Sequence, residues 1–354
     1  MGAGVRPRYL GSFGDTGSPR LIAPLGIAIA GERVYVADAG AHTVAVFDRA
    51  GTRVATLSGG GMEVPAYVAV DPRDGRVLVS DRQAGTLLAF GADGHAKGAF
   101  DPKLPQGIAA TGTAGPWRPL AAAFAPDGTL YVTDVAGEHR VLVFAPDGAF
   151  RRVLTGPPDH GLSYPNGIAV LGRDVVVADS NNARLIVFAS DGSVALQIRT
   201  GGLPRGVAVV ASGTGAGSLS DLVVADTIGR KLTLWASDGT SLGEAGHAGS
   251  GTGEFAYPTD VAAGSDGTVY ATDTGNRRVQ MWSMGPPTTG GAGPAFPLAT
   301  TRWSLPSALV TGALLLVAGL AAAAVTAARR RLRRSGSNVT ARRGSTGPER
   351  RKVP

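Results

Sequence analysis

The chain has 354 residues, with 53 Gly, 23 Pro, no Cys, 44% hydrophobic residues and 17% charged ones. The lack of Cys removes disulfide staples, Cys-based zinc sites, iron–sulfur clusters and a cysteine nucleophile, and recurring apolar runs without a collagen period argue against both wholesale disorder and a triple helix. The net charge of +7 is unevenly held: from Arg329 onward ten Lys and Arg face one Glu, so the tail carries +9 and residues 1–328 are left at −2, the wrong sign for a folded surface that grips phosphate backbones.

In chain order, Tyr9-Leu-Gly-Ser-Phe-Gly14 reads as a lone strand. Six similar units follow, each with a leading Pro, a short apolar run, a turn, a β-rich run ending in Asp, a polar loop, and a β-rich run ending in an aromatic. The prolines are Pro24, Pro65, Pro119, Pro165, Pro204 and Pro258. The acids are Asp38, Asp81, Asp134, Asp179, Asp226 and Asp273, at intervals of 43, 53, 45, 47 and 47 residues. The aromatics are Phe47, Phe90, Phe144, Phe188, Trp235 and Trp282, each nine residues after its Asp except Phe144, which lies ten after. A period of 40–50 residues holding four short strands predicts propeller blades. Asp-Gly pairs such as Asp191-Gly192 predict the hairpin between the last two strands. Small residues in the first run (Ala28, Ala69, Ala122, Ala169, Ala208, Ala262) suit the innermost strand. The sixth unit stops after Trp282 with no fourth strand, and residues 8–14 resemble the fourth strand of unit five (Ser241–Gly246). They are expected to complete blade six and close the ring, which removes an open sheet edge.

The fold class is therefore all-β, a six-bladed propeller over residues 8–284, with a Gly/Pro/Thr linker at 285–305, one transmembrane helix at 306–328 and a basic, unstructured tail at 329–354. Residues 307–328 carry no charge. As a helix they would span roughly 33 Å, enough for a hydrocarbon core of about 30 Å. Five Arg within six residues flank the C-terminal end, against Arg302 alone on the other side. That asymmetry predicts a cytoplasmic tail and an extracytoplasmic propeller, although residues 1–20 contain no apolar stretch of signal-peptide length. Leu305-Pro306 before the apolar run resembles a Gram-positive cell-wall sorting signal, but Ala308 and Leu309 stand where that signal has Thr-Gly.

The runs Tyr257-Pro-Thr-Asp-Val-Ala and Asp266-Gly-Thr-Val-Tyr-Ala-Thr-Asp273-Thr-Gly-Asn276-Arg-Arg278-Val-Gln-Met-Trp282 resemble the NHL repeat. Tyr164-Pro-Asn-Gly-Ile-Ala with Asp179-Ser-Asn-Asn-Ala-Arg184 is similar. The resemblance implies the propeller fold and leaves function open, because NHL propellers include RNA-binding and protein-interaction modules, sensor domains and a few lyase-like enzymes. The six repeated Asp read as structural, accepting backbone N–H groups in the following loop, with Arg184 and Arg278 lying over neighbouring blades. A zinc site like that of the amidating lyase would need several converging His, and only His42 and His139 share a loop position. Lactonase-like propellers hold axial calcium with a Glu, Asn and Asp. Asn166 matches one such position and Asp260 loosely another, while Pro24-Leu-Gly stands where the Glu is expected.

One face collects the connections into strand one and those between strands two and three. It gathers Leu25, Tyr67, Asn166, Arg205 and Asp260 near the axis, with His139 in the surrounding ring. Trp117-Arg118, at the end of the longest insertion, has the composition of an interface hot spot, the other reading being a loop that packs its Trp against blade two or three. The ligand face is thus assigned to Tyr67, Trp117, Arg118, His139, Asn166, Arg205 and Asp260. The expected function is a membrane-anchored, non-enzymatic binding or sensing module for a protein, peptide or glycan, with no cofactor and no nucleic acid. A calcium-dependent lactonase or hydrolase is the alternative.

Overall fold

The computed structural model describes residues 7–284 except 18, 106–107, 109–116 and 213–218. Those residues form six four-stranded antiparallel sheets and one two-stranded parallel pair, His247–Ala248 with Glu254–Phe255. Blades 1 to 5 each run in simple up-and-down order; blade 4, for example, is Pro165–Leu171, Asp174–Asp179, Arg184–Phe188 and Val194–Arg199. Blade 6 contributes Pro258–Ala263, Thr268–Asp273 and Arg278–Ser283, and its fourth strand is Arg8–Phe13. That strand pairs antiparallel from Arg8 opposite Ser283 to Phe13 opposite Val279, with a bulge between Tyr9 and Gly11. The ring is thus closed by its N-terminus. The linker, the apolar segment and the basic tail lie outside the described residues.

The second strands are apolar on both faces, as strands sandwiched between neighbours should be. Because successive side chains alternate in direction, each of these strands feeds two cores. Val34 and Val36 pack toward blade 6, while Tyr35 and Ala37 pack toward blade 2. Val176 and Ala178 face blade 5, while Val175 and Val177 face blade 3. Six apolar clusters result, one at each blade interface. Each closing aromatic points into the interface with the preceding blade: Phe90 toward blade 1, Phe144 toward blade 2, Phe188 toward blade 3. Phe13, on the fourth strand of blade 6, fills the interface with blade 1 at the closure. Its ring lies 4.8 Å from that of Phe47 and 6.4 Å from that of Tyr270.

Immediately after its leading Pro, every first strand is bulged against the second strand. A bulge re-aims side chains, here at the point where the six strands converge. The second residue after the Pro is Gly in blades 1, 4 and 5. A Cβ on Gly26 would come 2.4 Å from the Ala66 carbonyl oxygen, and one on Gly167 2.5 Å from that of Arg205. Tyr67 and Asp260 hold the same position in blades 2 and 6.

Candidate functional site: the axial mouth

The six repeated Asp are buried, at 5% exposure or less, and each ties the loop entering its blade to groups after its second strand. Asp81 accepts backbone N–H groups from Glu63 and Val64 before the blade (2.6 and 2.9 Å) and from Gln83 and Ala84 after it (2.9 and 2.8 Å). Asp38 does the same with Ile22, Ala23 and Ala41, and Asp226 with Leu203 and Gly229. Asp134, Asp179 and Asp273 add a guanidinium, from Arg140, Arg184 and Arg278 at 2.9, 2.7 and 3.1 Å. Two sequence expectations change here. The carboxylates clamp the incoming loop as well as the following one, and Arg184 and Arg278 turn back to their own blade's Asp and to the incoming-loop carbonyls of Gly161 and Gly251. Arg140 plays the same part in blade 3, where the one-residue insertion shifts it out of the sequence pattern.

Trp117 leaves the predicted ligand face. It is 7% exposed, with its ring 6.1 Å from those of Phe100 and Phe144 between blades 2 and 3. An indole that fills an inter-blade core cannot anchor a partner. Arg118 beside it is exposed, with its backbone N–H bound to Asp134 at 2.7 Å.

The other predicted residues do meet. Tyr67, Asn166 and Asp260 are buried and Arg205 is half-buried, all just past the leading prolines of blades 2, 4, 6 and 5. The Tyr67 hydroxyl points at Asn166 Oδ1 across 3.4 Å. Arg205 lies against the Tyr67 hydroxyl and close to Tyr164, Tyr257 and Asp260. Asn166 donates to Ser180 Oγ (2.6 Å) and to the Tyr164 carbonyl. Asp260 Oδ2 accepts the Ile27 N–H at 2.9 Å, which joins blade 6 to blade 1. Burial raises the Asp260 carboxyl to about 7, partly offset by the Ile27 and Val261 N–H groups and Arg205, and burial pushes the Tyr67 phenol up to about 12.

Tyr164, which sequence reasoning used only as part of a motif, is held over this cluster in the left-handed region at φ 56°. Its backbone N–H donates to His139 Nδ1 at 2.9 Å, and its hydroxyl accepts from Arg82 at 3.5 Å. His139 therefore reaches the mouth through Tyr164; its imidazole is shifted below the usual range by burial, opposed by Asp179 and Asp134. His42 binds the Glu63 carbonyl instead.

The donor set does not suit calcium, which takes six to eight oxygens. Asp260 offers a carboxylate already engaged by a backbone N–H, the Asn166 oxygen faces a phenol, and a guanidinium occupies the neighbourhood a cation would need. Among the described residues no three His, Asp or Glu are grouped as metal ligands.

The NHL repeat profile matches residues 162–188 and 255–281, in blades 4 and 6. Blades 4 and 6 of this six-bladed propeller are thus NHL repeats. Within the propeller those two NHL-repeat blades carry the fullest form of the scaffold, with Asp, Asn and Arg joined in one hydrogen-bonded set at Asp179, Asn182 and Arg184 and at Asp273, Asn276 and Arg278. No curated protein matches the chain in sequence. Solved structures similar to it include a streptogramin B lyase (13% identity, 80% of this chain and 100% of that one, TM-score 0.52) and virginiamycin B lyase from Staphylococcus aureus (15%, 78% and 99%, 0.51). A gluconolactonase from Xanthomonas campestris is also similar (19%, 74% and 86%, 0.55). At these identities the likeness concerns the fold.

Proposed function

We propose that this NHL propeller is a non-enzymatic binding or sensing module, displayed outside the cytoplasmic membrane by the apolar segment at 307–328, with the axial mouth as its recognition face. The observation that carries the reading is the chemistry of the mouth. A guanidinium, phenols and an amide converge there around one protonatable carboxyl, a set of donors and acceptors suited to holding a polar ligand. The display part rests on the sequence: the uncharged stretch and its one-sided Arg cluster. A partner with a polar or aromatic contact group suits the mouth, whereas the −2 charge of residues 1–328 disfavours nucleic acid. The lyase and lactonase neighbours support an enzymatic alternative only through the shared fold.

The test is protease treatment of intact cells expressing the full chain with a C-terminal epitope. Digestion of the propeller with retention of the epitope supports outward display; a protected propeller with an accessible epitope reverses the orientation and overturns this part of the proposal. Calcium-dependent hydrolysis of lactones by the purified chain, lost on Asp260→Asn, would replace the binding reading with the enzymatic one.

A further inference from the structure

We propose that the axial mouth is a binding site for a small organic carboxylate, gripped by the Arg205 guanidinium with the Tyr67 hydroxyl as second donor and bordered by the rings of Tyr164 and Tyr257. This inference deepens the binding-module reading and rests on it.

Placement gives the first argument. The residue directly after the leading Pro is re-aimed by the bulge in every blade, and across the ring it is Leu25, Ala66, Leu120, Asn166, Arg205 and Thr259. Arg205 is the single charge in that tier. The scaffold arginines are occupied: Arg140, Arg184 and Arg278 on the repeated Asp, Arg73 and Arg76 on Asp71, and Arg49 near Asp266. Arg205 takes part in none of the ion pairs found among the described residues, although it is half-buried. A guanidinium withdrawn from water without an ion-pair partner favours an incoming anion.

The surroundings narrow the anion. Asp260 is the nearby acid, but its Oδ2 is held by the Ile27 N–H. Burial raises that carboxyl and so favours its neutral form, which weakens its competition for Arg205. Arg82 places one N–H on the Tyr164 hydroxyl at 3.5 Å, and the Tyr67 hydroxyl lies 3.4 Å from Asn166 Oδ1, so the Arg205 fork is the main donor offered, with the Tyr67 hydroxyl as the second when it turns from Asn166. That number of donors matches a monoanionic carboxylate, which accepts bidentately from Arg, better than a phosphate with its higher charge. The rim is aromatic: Tyr257 is 43% exposed, and Tyr164 stands edge-on to His139 with ring centroids 5.8 Å apart. Such a rim suits a ligand with a flat or apolar body behind its carboxylate.

The experiment is calorimetric titration of the full chain in nanodiscs with benzoate, using benzamide and inorganic phosphate as comparison probes. Benzoate is expected to bind saturably and more tightly than either. Arg205→Gln should weaken it about tenfold or more and Tyr67→Phe by a smaller factor. Arg205→Lys keeps the charge but loses the fork, so it should fall between wild type and Arg205→Gln; it also keeps the test open if the Gln variant does not fold. Benzoate affinity unchanged in the Arg205 variants, phosphate binding as tight as benzoate, or no saturable benzoate binding up to about 50 mM would each overturn the assignment. Protease accessibility in intact cells is read separately, so failure of the carboxylate site and failure of the display reading are distinct results.

Discussion

At the scale of single residues, the buried acids divide into two kinds by their surroundings. Asp179 is surrounded by donors: the Ser163 N–H at 2.6 Å, Asn182 Nδ2 at 2.8 Å and Arg184 Nε at 2.7 Å. Replacing it with Ala leaves Arg184, 7% exposed, without its counter-charge. The expected cost is about 3–5 kcal/mol in urea denaturation, and a cost below about 1 kcal/mol would mean the clamp is dispensable. Asp260 has fewer donors, and its carboxyl is raised from 3.8 to about 7. Its folded pKa lies above its unfolded one, so the native state holds a proton that the unfolded chain has lost. Stability from this group is therefore present below about pH 4 and falls as pH rises toward 7, by up to about 4 kcal/mol. Asp260→Asn should abolish that fall in melting temperature. His139 acts in the other direction. Its depressed pKa favours the neutral ring that accepts the Tyr164 N–H, so its contribution is present above the ordinary imidazole pKa and is lost as pH drops below it. Because the two groups oppose each other, each is read as the difference between variant and wild-type melting curves. An His139→Phe difference that does not change between pH 7 and pH 5 would count against the Tyr164 link.

At the scale of strands and blades, the convergence of first strands fixes where side chains are forbidden. A Cβ on Gly206 would sit 2.4 Å from Asp260 Oδ1 and 2.5 Å from Asp260 Cα, and because part of that contact is backbone it cannot rotate away. Gly206→Ala should cost about 1–3 kcal/mol in urea unfolding, whereas the same change at Gly172, a turn position with nothing within 4 Å, meets only its positive φ. The closing strand makes a larger prediction. Deleting residues 1–15 removes Phe13 from the blade 6–blade 1 core and bares the edge of Arg278–Ser283. The expected loss is about 3 kcal/mol or more, with greater aggregation; an unchanged melting temperature would show that the pairing contributes nothing to stability.

These elements also mark how far sequence reading reaches. The repeated Asp and aromatics set the blade register, since their spacing is a direct trace of strand length, and the missing fourth strand of unit six identified its partner at residues 8–14. The bulges after each Pro left no such trace, because they arise from pairing between strands, and so the approach of Arg205 to Tyr67 could be placed only by face. Trp117, placed on the ligand face with inward packing as the alternative, could not be decided for a similar reason: a Trp after a long insertion looks the same in sequence whether it points outward or fills the gap between Phe100 and Phe144. Tyr164 was hidden by its left-handed backbone, a conformation that bulky side chains seldom adopt and that composition does not announce.

For the molecule as a whole, the separation of charge is the feature with functional weight. Residues 1–328 sum to −2 and the tail to +9, with the uncharged stretch at 307–328 between them. If that stretch spans a bilayer, the five Arg between 329 and 334 decide its direction, since basic residues beside a span resist translocation while the single Arg302 on the other side does not. The propeller then needs no basic surface of its own and can keep a mixed polar mouth for a soluble ligand. Replacing Arg329, Arg330, Arg331, Arg333 and Arg334 with Gln leaves the five-residue cluster neutral, with the remaining basic residues eight or more positions further on. The expected result is a mixed orientation: part of the propeller becomes protected from protease added to intact cells and part of the C-terminal epitope becomes exposed, while the melting temperature of the propeller stays unchanged. Unaltered protection of the epitope in that variant would mean that something other than the Arg cluster orients the chain, and the outward display of the mouth would lose its main support.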